Sequence, residues 1–172
     1  MEYQSKMHTI MDGMDIVIRE ATEQDFPCIL QMIKDLADFE RAPDAVTNTL
    51  ERMHQEQHLF GCFMAELDGE IVGMALYFYA YYTWVGKSMY LDDLYVKPEH
   101  RGKKIGRRLL DRIIHLAWEQ GCHRLRWQVL DWNVDAIEVY RRKGAAMSQE
   151  WINCQFDRAG LEGLAHQVQA IS

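Results

Sequence analysis

Asp92 and Asp93 stand side by side in an otherwise apolar stretch, Tyr90-Leu91-Asp92-Asp93-Leu94-Tyr95-Val96. Aspartate is a poor strand former, so two in succession need a reason. A β-bulge or a solvated sheet edge is the plain structural one. The chemical one is that carboxylates there hold a cation and take its proton. Successive strand residues point to opposite faces, so without a bulge only one of the pair can meet a substrate. A few residues on, Pro98 ends the strand pattern and a basic turn follows, Arg101-Gly102-Lys103-Lys104-Ile105-Gly106. Between Lys97 and Arg108, six residues are basic and one is acidic. Lys103, Lys104, Arg107 and Arg108 surround the start of an amphipathic helix, where each cation is unfavourable by roughly 0.3–1 kcal/mol. An anion would relieve that repulsion, and backbone N–H groups brought close by glycine suit a phosphate. The plainer alternative is a solvated basic turn. The Gly-Lys-Ser/Thr ending of a nucleotide-binding Walker loop is missing.

Those groups need a scaffold, and 172 residues suffice for one domain with a sheet covered by helices. With 48% hydrophobic and 26% charged residues the chain reads as globular. Its net charge of −7, with the positive charge densest in one loop, disfavours nucleic acid and suits a small cationic substrate. Cys28, Cys62, Cys122 and Cys154 form no Cys-x-x-Cys and read as reduced thiols of a cytoplasmic protein. No apolar run has the length of a membrane span, and residues 1–14 lack the blocks of a signal peptide. Those fourteen residues read as a disordered extension, with the domain over 15–172.

Ile16, Val17 and Ile18 begin a β pattern, and Thr22 with Asp25 forms a capping-box variant. Ile29, Met32, Ile33, Leu36 and Phe39 recur at helical spacing to about Glu40. Pro43 breaks that helix, and a more polar one is expected over 44–57. Strands follow over 59–67 and 70–82 around the tight turn Asp68-Gly69, then over 88–96. A helix over 106–120 carries Leu109, Leu110, Ile113, Leu116 and Ala117 on one face and ends at Gly121. A strand over 123–130, an Asn133-capped helix to Arg142, a last strand over 146–156 and a short terminal helix complete the order. Hairpins first and a β-α-β crossover later define an α/β domain, a single mixed, mostly antiparallel sheet flanked by helices.

Strand, Arg-Gly-x-x-Ile-Gly, helix, strand and an Asn-capped helix with a tyrosine near its end resemble the GNAT acetyltransferases. Within them, Ile33–Glu40, Trp84-Val85-Gly86-Lys87, Tyr90–Asp93 and Asp131-Trp132-Asn133 on to Tyr140–Ala145 resemble the spermidine/spermine (diamine) N-acetyltransferase branch. The resemblance implies acetyl-CoA as co-substrate, no metal, a homodimer, and direct attack by a primary amine of a polyamine, diamine or thialysine-like amino acid. It implies a pyrophosphate cradle from Arg101, Gly102, Lys103, Lys104, Ile105, Gly106 and Arg107. Leu94, Tyr95 and Val96 would meet the pantetheine arm, with Asn133 and Ala136 on its far side. Backbone N–H groups near Leu94 would hold the oxyanion.

For catalysis the resemblance implies Tyr140 as general acid, although periodicity alone makes it a core tyrosine. Phe39, Glu40, Trp84, Asp92 and Asp93 would bind the amine, with Asp92 favoured as the catalytic carboxylate. Three positions depart from the branch. Lys104 replaces a glycine of the phosphate loop, Phe39 replaces a tyrosine, and Asp92 replaces a glutamate. A rival reading is a catalytically silent acyl-CoA sensor or interaction module that kept only the loop. His54 and His58 have metal-ligand spacing on one helix face but no evident third ligand. The aromatic run from Tyr77 to Trp84 suits a core or a subunit interface as well as a cation pocket.

Overall fold

The computed structural model of the protein describes residues 7–11 and 14–169. The chain divides into two compact units, Met1–Asn133 and Val134–Ser172.

The first unit is built on a six-stranded sheet in sequence order. Strands β1 (Met7–Met11), β2 (Met14–Glu20), β3 (Gly61–Leu67), β4 (Glu70–Tyr82) and β5 (Gly86–Val96) run antiparallel, and β6 (Arg124–Arg126) joins β5 in parallel. Helix α1 (Phe26–Phe39) packs against β4 and β5, and α2 (Leu50–Gln55) against α1. Helix α3 (Ile105–Glu119) lies against the sheet through contacts with β2 to β6. The alternation of β3 sorts the core. Cys62 and Met64 join Phe26, Ile29, Met32, Met74, Leu76 and Tyr95 on the α1 side. Phe63, Ala65 and Leu67 point the other way, toward the buried Leu109, Leu110 and Ile113 of α3.

Local chemistry explains the joints. Asp68 and Gly69 take φ 51 and 85, the two left-handed residues of a hairpin turn that matches strand twist. The Asp25 carboxylate accepts the Thr22 backbone N–H at 2.7 Å and its hydroxyl at 3.1 Å. Arg19 of β2 donates to both oxygens of Asp25 and to Glu66, tying the start of α1 to two strands. The Arg19 guanidinium pulls the Asp25 carboxyl down to about 2.

The second unit holds α4 (Val134–Arg142) and α5 (Arg158–Gln169). Gly144, at φ 82, ends α4, and the Ala145 N–H reaches back to the Tyr140 carbonyl at 3.1 Å.

Four sequence expectations change. The strand expected over 146–156 does not form. No ladder takes up its backbone, and Trp151 and Ile152 stand 71% and 89% exposed. The strand expected over 123–130 shortens to Arg124–Arg126, the part of that stretch that pairs with β5. The helix expected over 44–57 contracts to α2 (Leu50–Gln55), because its cap is Thr49: the Thr49 hydroxyl accepts the Arg52 N–H at 3.2 Å. Part of the expected extension, Met7–Met11, is a strand paired to β2, while residues 1–6, 12 and 13 lie outside the described residues.

Candidate active site

A β-bulge in β5 sets the site. Leu94 pairs with Ala75, Asp93 with Leu76 and Leu91 with Tyr77, so Asp92 is an extra residue with no partner in the ladder. Alternation restarts there. Leu91 goes with Tyr77, whose ring stacks on Phe63 at 5.6 Å on the α3 side. Asp93 goes with Leu76 on the α1 side instead. That is the side on which α1 ends, in Phe39 and Glu40. The bulge is thus the condition under which both aspartates can serve one site, and it makes Asp93 the more enclosed of the two.

Electrostatics follow from that enclosure. Burial, then the charges of Asp92 and Glu40, pushes the Asp93 carboxyl up to about 7. Enclosing protein also raises Asp92 and Glu40 above the ordinary carboxylate range. No lysine or arginine pairs with any of the three among the described residues. Like charges held together without a counter-ion leave room for a cationic guest.

The phosphate loop lies just beyond β5. Gly102 takes φ 78, and Lys104, standing where glycine is usual, takes φ 62. Helix α3 then begins with no side-chain cap, and its first backbone bond is Arg108 N–H to Lys104 C=O at 3.2 Å. The N–H groups of Ile105, Gly106 and Arg107 are therefore left without an intrahelical acceptor. An uncapped helix start beside an open glycine fits a pyrophosphate. Not every cation there is available to one. Lys97 is paired with Glu70 at 2.7 Å, and Lys103 sits 3.2 Å from His100 Nδ1. Lys104 has no ion-pair partner among the described residues.

Arg101 links the two regions. Its Nε donates to the Val96 carbonyl at 3.1 Å, and its guanidinium lies 4.8 Å from the Phe39 ring and 6.0 Å from that of Tyr95. Phe39 in turn packs on Trp132 at 5.5 Å, and Arg41 lies over Trp132 at 5.2 Å. Sequence reasoning used Trp132 only as part of a motif and passed over Arg41. The signal available was an arginine directly after Glu40, where a helix commonly ends in glycine.

Trp84 does not join this group. It stands 84% exposed at the β4–β5 turn, and Asp92 is six residues beyond Gly86 along β5, about 20 Å away. Leu94, Tyr95 and Val96 are the last three residues of β5 before the loop. Asn133 closes the first unit, its N–H bonded to Leu130 C=O at 3.0 Å. Ala136 and Tyr140 belong to α4, and burial raises the Tyr140 phenol above its ordinary value. His54 lies 3.4 Å from Glu23 and 5.0 Å from the Phe26 ring, and no group of three ligating side chains that could hold a metal occurs among the described residues. No helix among them is long and apolar enough to cross a membrane.

A bulged strand running into an uncapped helix start led by Gly102 and Lys104 sets carboxylates suited to a cation close in sequence to backbone donors suited to a phosphate. The pattern of the acetyltransferase (GNAT) family matches residues 18–145, and the chain belongs to that family and is an N-acetyltransferase. It is 36% identical over 165 residues to thialysine N-epsilon-acetyltransferase of Sus scrofa, covering 87% of this chain and 97% of that one. It is 32% identical over 162 residues to spermidine/spermine N(1)-acetyltransferase-like protein 1 of Homo sapiens, covering 86% of this chain and 23% of that one. The fold matches a predicted acetyltransferase of Clostridium acetobutylicum crystallised with acetyl-CoA, at TM-score 0.67 and 20% identity, covering 81% and 96% of the two chains.

Proposed function

We propose that the protein transfers the acetyl group of acetyl-CoA directly to a primary amine of a small cationic substrate. A polyamine, a diamine or a thialysine-like amino acid all meet that description. The observation that carries this reading is the unpaired cluster of Asp92, Asp93 and Glu40 beside the phosphate loop.

Acetyl-CoA supplies an acyl group already activated as a thioester. The chain's own residues supply the rest. The N–H groups of Gly102 to Arg107, with Arg101 and the lysines, hold the pyrophosphate. Leu94, Tyr95 and Val96 offer an edge to the pantetheine arm, with Asn133 and Ala136 assisting. Glu40, Asp92 and Phe39 bind the ammonium end of the substrate.

Proton removal is the harder task, and it selects among the carboxylates. An alkylammonium has a pKa near ~10.4. Passing its proton to a carboxylate at the ordinary 3.8 is uphill by about 9 kcal/mol; passing it to Asp93 at about 7 costs about 5 kcal/mol. Asp93 is therefore the better base, and Asp92 binds the cation and keeps Asp93 basic. Tyr140, held protonated by burial, is the acid for the departing thiolate, a role that rests on the motif from Asp131 to Tyr140.

Four free cysteines support a reducing, cytoplasmic setting. The exposed Tyr79, Tyr81 and Trp84 of the β4–β5 hairpin support a homodimer, for which sedimentation should give about twice 20.2 kDa and a monomer mass would refute it. The reaction itself is tested by thiol titration of CoA released from acetyl-CoA with spermidine, spermine, putrescine, thialysine, lysine and a basic peptide. Turnover with a small amine is expected. Acetyl-CoA binding with silence across all of them would favour the sensor.

A further inference from the structure

The end of α1 carries a cation that an acid-lined amine site does not by itself explain. Arg41 follows Glu40 directly and takes φ 62, its N–H bonded to Asp38 C=O at 3.1 Å. Glycine is the residue that reaches this conformation without strain, so the arginine side chain is kept at a backbone cost. Strained positions of this kind gather at ligand clamps. The guanidinium is placed rather than free-swinging. It lies 5.2 Å over the ring of Trp132, which packs on Phe39, which carries Arg101 on its own ring. Arg101 is committed to the Val96 carbonyl and the phosphate loop. Arg41 has no carboxylate partner among the described residues, although Glu40 is its neighbour in sequence.

Charge decides what such a pair of poles selects. A guanidinium carried by the residue directly after Glu40, and held over Trp132 rather than on a carboxylate, repels a substrate that is cationic at every polar end. It attracts one whose far end is anionic, and its planar fork matches a carboxylate. We infer that Arg41 is a specificity-determining residue: it binds the α-carboxylate of an amino acid whose side-chain amine enters the Glu40–Asp92–Asp93 cluster. The inference rests on the acetyl-transfer reading above and deepens it. The site then prefers zwitterionic amino acids with a terminal amine over diamines and polyamines that lack a carboxylate.

Steady-state acetylation of lysine, thialysine, lysinamide and cadaverine tests this. Lysinamide keeps both amines of lysine and neutralises the carboxylate; cadaverine removes it. The wild-type protein should favour lysine over lysinamide in kcat/KM by about tenfold or more. Arg41→Gln should abolish that preference through KM for the amino acids, with kcat within about twofold and lysinamide unaffected. Arg41→Lys should keep part of it. Arg41→Gly should lose the preference without lowering the thermal midpoint, because glycine suits the left-handed position; this separates the side chain's role from folding. Equal losses for lysine and lysinamide in Arg41→Gln, or a wild-type protein that turns over cadaverine but neither amino acid, would overturn the inference and leave acetyl transfer standing. No transfer to any amine would overturn both.

Discussion

Two charged regions meet at the end of β5, and they are built on opposite principles. The loop from Gly102 to Arg108 is local and solvent-facing. Its function follows from a short run of residues, an uncapped helix start and two left-handed positions, Gly102 and Lys104. The carboxylate cluster is assembled from afar. Glu40 comes from the end of α1, and Asp92 and Asp93 from a strand more than fifty residues later. The loop concentrates cations where water can still screen them. The cluster gathers anions around the partly enclosed Asp93, whose carboxyl is pushed up to about 7 by burial and its two acidic neighbours. Binding an anion requires exposed donors; taking a proton from an ammonium requires desolvated charge.

Variants can sharpen that contrast. Asp93→Asn should have the largest effect, lowering kcat/KM by about 10²–10⁴ while KM for acetyl-CoA changes little. Asp92→Asn, measured beside it, should act more on KM for the amine; the reverse ranking would return the base to Asp92. Tyr140→Phe should lower kcat by up to about a hundredfold and leave acetyl-CoA binding intact, and full activity would refute the acid role. Smallest is Lys104→Gly. Relieving φ 62 should stabilise the fold by about 1 kcal/mol in thermal melts, while loss of one cation weakens acetyl-CoA binding a few-fold.

The same contrast explains what the sequence disclosed. The loop was legible because glycine spacing, Pro98 and the α3 periodicity all act within a few residues. The tight turn at Asp68-Gly69 was legible for the same reason. Asp92 and Asp93 announced themselves as out of place, but their ranking depended on a bulge that only the ladder with β4 reveals. Trp84 sits in a branch-like motif, yet strand length carries it away from the site. Residues 146–156 alternate like a strand, but a strand also needs a neighbour, which no single segment encodes. Arg41 left a faint trace, an arginine at a helix end. Its meaning came from Trp132, ninety-one residues away in the chain.

The most direct test of the account is the pH dependence of kcat/KM for the amine, in the wild-type protein and in Asp93→Asn. A base must be unprotonated to act, so a carboxyl raised to about 7 makes the wild-type rate climb through that pH. The amine's own ionisation adds a separate rise at higher pH. The account predicts that Asp93→Asn loses the limb near 7 and keeps the alkaline one. A limb near 7 that survives in Asp93→Asn and disappears in Asp92→Asn would contradict it.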